Sequence, residues 1–92
     1  MDLTEVRLAI DGIDRQLIGL LARRQVLVEQ AGRLKPKNDA HAVAAPERVA
    51  QVIRTRRKQA AAAGLSPDVA EAVWRAMIEA FIRLETEINR DA

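Results

Sequence analysis

Three ionisable residues in this chain of 92 stand where a side chain faces apolar neighbours. Arg24 follows Leu20 and Leu21 by one helical turn and precedes Leu27 and Val28 by another. In a helix it shares their face, and a guanidinium turned inward is costly unless an anion meets it. The plainer alternative is an arginine that snorkels from the helix edge or pairs with a glutamate of another helix. Lys35 lies eleven residues further on, about 1100° of rotation, or three turns and ~20°. Both cations then fall on one stripe ~16 Å apart, and two side chains of ~6 Å reach leave a gap suited to a small compact anion. Glu85 is the matching acid, with Phe81 and Ile82 a turn before it and Ile88 a turn after. A carboxyl among apolar neighbours favours its neutral form, in which it donates a hydrogen bond. An ion pair with an arginine or lysine is the simpler alternative. Arg7 lies ~25 Å from Arg24 along the helix and about 100° around it. It reaches the same anion only from an antiparallel partner helix, which gives two equivalent sites that each mix residues of two chains.

Other chemistries lack their residues. The chain has no cysteine and one histidine, His41, alone in a loop. No metal-ligand pattern, glycine-rich phosphate loop or Ser-His or Cys-His pair is present. An enzyme built from this chain works by positioning and electrostatics, without a metal or other cofactor.

The elements that must position these residues read as helices. The apolar residues are Ala, Leu, Ile and Val with few aromatics (2%), and 30% of the chain is charged. That mix indicates an all-α protein. Val6, Ile10, Ile13, Leu17, Leu20, Leu21, Leu27, Val28, Ala31 and Leu34 recur in steps of three and four, predicting one helix from about Leu3 to Lys35. Asp2 or Thr4 caps its start and Pro36 stops it. The stretch from Pro36 to Ala44 reads as a surface loop. Pro46 opens a second helix, about 46–63, that ends at Gly64. Ser66 caps a third, about 66–90, striped by Val69, Val73, Trp74, Met77, Ile78, Phe81, Ile82, Leu84 and Ile88.

Size then bears on assembly. One domain, residues 1–92, is the expectation, and a chain this short buries only about 60–65% of its unfolded surface. It has no disulfide or zinc site to staple it, which leaves a partner subunit. A helix of ~33 residues is ~50 Å long, more than the width of such a globule, and this predicts an intertwined homodimer. No apolar run reaches the ~20 residues of a membrane span, and the start does not resemble a secretion signal. The expectation is a cytoplasmic protein with no membrane contact. Net charge is +2 and pI about 9.7, so small anions and nucleic acid both remain open.

The residues resemble those of the small all-α chorismate mutases (type II) and their close relative isochorismate-pyruvate lyase. The similarity covers nearly the whole chain. It rests on VRLAIDGIDRQLIGLLARR, on GRLK with its lysine eleven residues after Arg24, on APERV and on IEAFIRLE. The implied fold is a helical homodimer with a long shared first helix. The implied reaction is the rearrangement of chorismate to prephenate, a pericyclic step with no cofactor. By position, the resemblance implies that Arg24 and Arg7 from a partner chain hold the two carboxylates of the substrate. Lys35 and Glu85 would contact the ether oxygen, with Glu85 protonated, and Glu47 would bind the ring hydroxyl. Val43, Ile78 and Phe81 would complete the binding surface. Val43 stands where the mutases usually have an acid, and Pro46 where they usually have an arginine. APERV, and Phe81 four residues before Glu85, look more like the lyase, which makes salicylate and pyruvate from isochorismate. That lyase carries a glutamine at the Glu85 position, which favours the mutase here. A relative acting on 4-amino-4-deoxychorismate is a third option.

Two readings from other classes compete. Arg54, Arg56, Arg57 and Lys58 form a basic cluster that could bind nucleic acid, but no recognition helix or aromatic platform accompanies it. A solvated helix face explains the cluster more simply, so nucleic acid is not an expected partner. A purely structural helical dimer is the other alternative, and it predicts that Arg24 is dispensable.

Overall fold

The computed structural model describes residues 1–91 and is all-α among them. Helix α1 spans Leu3–Leu34, α2 Ala40–Ala44, α3 Pro46–Ala63 and α4 Pro67–Asp91. The three expected helices fall within a residue or so of their predicted bounds. The expected loop after Pro36 is corrected, because five of its residues form α2. Asp39 makes that turn, its carboxylate accepting the Ala42 N–H at 2.9 Å, and Val43 buries its side chain beneath it. A helix this short carries too little periodicity to be read from sequence.

Local chemistry sets the other ends. Asp2 caps α1 by accepting the Glu5 N–H at 2.8 Å, and Ser66 caps α4 through the Val69 N–H at 3.3 Å. Gly64 closes α3 in the left-handed region, φ 81°, and the following Leu65 N–H bonds back to the Ala60 carbonyl at 2.9 Å. Ala45 joins α2 to α3 and also takes a left-handed conformation, φ 41°. An alanine there costs about 1 kcal/mol.

Helices α3 and α4 form an antiparallel pair around Val52, Ile53 and Ile78, flanked by Val49, Trp74 and Ile82. Buried Ala60 and Ala70 mark the other end of the pair. Arg57 of α3 ties it from outside, binding Asp68 and Glu71 of α4 at 3.1 Å each. The last turns of α1 cross α4 closely at Gly32, where an added Cβ would meet the Glu85 Cγ at 3.0 Å and its carbonyl oxygen at 3.3 Å. The first two thirds of α1 extend beyond this body, and the molecule measures 52 × 24 × 15 Å. Ile10, Ile13, Leu17 and Leu20 of that extension are each about half exposed. No described helix is long and apolar enough to cross a membrane.

Candidate active site

Arg24 comes from the middle of α1, and the α1–α4 crossing brings it over the α3–α4 pair. Its guanidinium stacks on Phe81, 4.9 Å from the ring centroid. Its Nη1 is buried with no hydrogen-bond partner among the described residues. Burial, followed by the charges of Arg56 and Arg48, holds the guanidinium below its ordinary pKa. Among the described residues no carboxylate relieves it, so the alternative of an Arg24–glutamate pair within one chain is corrected. An orphaned cationic donor between two further cations is the electrostatic signature of a site for an anion.

Lys35 and Glu85 form the opposite wall. Lys35 Nζ donates to Glu85 Oε2 at 2.6 Å, with the carboxylate side chain 9% exposed and the lysine 29%. This is the ion pair that the sequence left as the simpler alternative for Glu85. Between this pair and Arg24 lies a cavity of about 150 Å³. Among its lining residues are Val43, Ile78, Phe81, Arg48 and Arg56. Most of the expected site is therefore brought together: Arg24, Lys35, Val43, Ile78, Phe81 and Glu85 share one cavity.

Two expected residues stand apart. Glu47 is exposed on the first turn of α3 and does not line the cavity; the next residue, Arg48, does. Arg7 is exposed near the start of α1, on the part of the helix that leaves the body. Within one chain it contributes nothing to the cavity, as the helix arithmetic required.

Arg48 and Arg56 were not read as site residues. They are eight apart, with Val52 midway, a spacing that places all three near one face of α3. That spacing is the signal by which the sequence could have yielded them. Arg56 also lies over Trp74, 5.8 Å from the ring centroid. The basic cluster is thus divided: Arg56 faces the cavity, Arg57 binds acids of α4, and Arg54 and Lys58 are exposed. A uniformly solvated face is corrected to that extent. Among the described residues, no group of acids or histidines is placed to hold a metal ion.

Net positive charge, an unpaired buried donor and apolar walls suit a compact organic anion with more than one acidic group. Glu85 and Lys35 add a carboxyl and an ammonium at one point of the wall, where charge that develops on a reacting oxygen can be met. Known proteins resemble this chain over most of its length. The T-protein of Enterobacter agglomerans is 40% identical over 74 residues, covering 80% of this chain and 20% of that protein. The T-protein of Haemophilus influenzae is 41% identical over 73 residues, 79% of this chain and 19% of that one. The chain thus spans about a fifth of the length of these relatives. Isochorismate pyruvate lyase of Pseudomonas aeruginosa is 35% identical over 80 residues, 87% of this chain and 77% of that enzyme. The family profile of chorismate mutase type II matches residues 6–86, and the chain belongs to that family.

Proposed function

We propose that this protein is a chorismate mutase that rearranges chorismate to prephenate by positioning and electrostatics alone. The observation that carries the reading is the buried, unpartnered Arg24 Nη1, facing the Lys35–Glu85 pair across an apolar cavity. Arg24 binds one carboxylate of the substrate. Arg48 and Arg56 add positive field for the other and offset the absence of an arginine at Pro46.

In the reaction the ether carbon–oxygen bond breaks as a carbon–carbon bond forms, with no proton or electron gained or lost. Negative charge grows on the departing oxygen and positive charge on the ring. Lys35 donates to that oxygen more strongly in the transition state than in the ground state, which is what lowers the barrier. For Glu85 to assist it must donate too, and so must carry a proton. Ile78, Phe81 and Val43 hold the substrate in its compact conformer by shape.

The working unit is a homodimer. The exposed stripe through Ile10, Ile13, Leu17 and Leu20 supports it, since an apolar helix face of this length needs a cover. An antiparallel second copy places the partner subunit's Arg7 at this chain's cavity, where it completes carboxylate binding.

The second reading is isochorismate-pyruvate lyase, favoured by the likeness to the Pseudomonas enzyme over most of its length. Assaying the purified protein on chorismate and isochorismate side by side decides the matter. Prephenate formed from chorismate as the faster reaction supports the mutase. Salicylate and pyruvate formed faster from isochorismate replace it with the lyase. A folded protein inert toward both substrates overturns both readings.

A further inference from the structure

Among the described residues Asn89 is the one large side chain fully shut off from solvent, 2% exposed, beside a core that is aliphatic apart from Glu85. It stands one turn after Glu85 on α4. A buried amide is tolerated only when its hydrogen bonds are made, and here each polar atom of the side chain has a partner. Nδ2 donates to the Gly32 carbonyl at 2.8 Å and to the Pro36 carbonyl at 3.0 Å. Oδ1 accepts the Asp39 N–H at 2.8 Å. Its backbone carbonyl accepts the Asn38 N–H at 3.3 Å.

The choice of partners has a chemical cause. In a continuing helix the Gly32 carbonyl would accept from the residue four later, which is Pro36 and has no N–H. Asn89 supplies the missing donor. The remaining bonds hold the link that follows, including Asp39, whose side chain caps α2. One α4 residue thus fixes the end of α1, the link and the start of α2. Lys35 lies between Gly32 and Pro36, two of the three anchored points, and Val43 hangs from the helix the third one starts.

We infer that Asn89 is a positioning residue for the site: it fixes the backbone on both sides of Lys35, and so sets the Lys35 ammonium against Glu85 and the cavity. The role in catalysis rests on the proposed function; the placement of Lys35 does not.

The test pairs Asn89→Ala with Asn89→Gln, which keeps the amide and shifts it by a methylene. Acetylation of lysines by a water-soluble reagent, read by mass spectrometry, reports Lys35 directly. In the native protein Lys35 should react several-fold more slowly than exposed Lys37 and Lys58. In Asn89→Ala that protection should be lost, with Lys37 and Lys58 unchanged, and in Asn89→Gln partly lost. Should the alanine variant fail to fold, the glutamine variant decides. Lys35 protection unchanged in a folded variant overturns the inference whatever the enzyme does. On chorismate, kcat should fall about tenfold or more with KM within threefold, because Lys35 acts on charge that exists only in the transition state. In a Lys35→Ala background, Asn89→Ala should lower kcat no further while still lowering Tm. An equal further loss there would mean that Asn89 acts on the fold alone, and the inference would fall.

Discussion

At the scale of single residues, Arg24 concentrates the electrostatic cost of the site. Its guanidinium is half-buried, stacked on Phe81 and surrounded by like charges, with Nη1 unpartnered. Deleting such a group removes desolvation and repulsion along with packing, so stability and activity should separate. Arg24→Ala should stay within about 1 kcal/mol of the native stability, since the lost cation–π contact is itself worth about that much. Activity should fall about 10²-fold or more, the scale seen when a preorganised donor is lost. Thermal unfolding and steady-state kinetics on the same preparation check both, and a variant that is unfolded or fully active refutes the site as drawn. Glu85 gives a second expectation. Paired with Lys35, its carboxylate offsets the charge the reacting oxygen needs, whereas a glutamine at the same place donates to that oxygen and leaves Lys35 free. Glu85→Gln should therefore keep kcat on chorismate at the native level or raise it, while Glu85→Ala should lower it about tenfold or more. Steady-state kinetics of the two variants check this, and equal losses in both would remove hydrogen bonding by this side chain from the chemistry.

At the scale of elements, the α1–α4 crossing and the α3–α4 pair are held by different means. The crossing depends on Gly32, which has no Cβ to strike Glu85 or Ile88. Helix propensity favours Gly32→Ala by about 1 kcal/mol, but forcing a methyl against α4 backbone costs typically 1–3 kcal/mol. The clash should win, lowering the urea midpoint and separating Lys35 from Glu85; a stabilised variant would show that the helices part easily. The α3–α4 pair is reinforced by charge at Glu71, which binds Arg75 at 2.7 Å and Arg57 at 3.1 Å. Hydrogen bonding from Arg75, reinforced by Arg57 against opposing burial, holds the Glu71 carboxyl below its ordinary value of 4.5. A depressed folded-state pKa means that its stabilisation is present above the unfolded value and lost as pH falls through the folded one. Glu71→Gln should thus lower Tm at pH 7, and the gap should begin to close near pH 4.5 and vanish below the folded value. A gap independent of pH would assign the effect to something other than this titration.

At the scale of the whole molecule, the shape is that of a body with a long unpaired arm. The arm's apolar stripe and the distance of Arg7 from the cavity make the same demand, a second copy running antiparallel. Mixing Arg7→Ala protein with Arg24→Ala protein should then restore activity, because a heterodimer holds one site with both arginines and one with neither. With statistical exchange half the dimers are mixed and each carries one intact site, so recovery should approach about a quarter of native activity. No recovery under conditions of proven subunit exchange would rule out sites shared between chains.

Helices α1, α3 and α4 were legible in the sequence because each is long enough for a period of three to four to repeat, and each is bounded by a cap, a proline or a glycine. Arg24, Lys35 and Glu85 were legible for the same reason: a charge inside an apolar stripe breaks the pattern where it stands, and its neighbours on the same helix are enough to reveal it. Asn89 follows Ile88 on α4 and does not break its pattern in that way; its importance comes from Gly32, Pro36 and Asp39, fifty or more residues away. Helix α2 has one buried apolar residue and no period. Arg48 and Arg56 were not legible as site residues because the rest of the cavity they line, Arg24, Lys35, Phe81 and Glu85, belongs to other helices. Periodicity along one element is written locally and survives without the fold. The pairing of Lys35 with Glu85, the orphaned donor of Arg24 and the three anchored bonds of Asn89 are relations between elements, and only the crossing of α1 over α4 brings them into being.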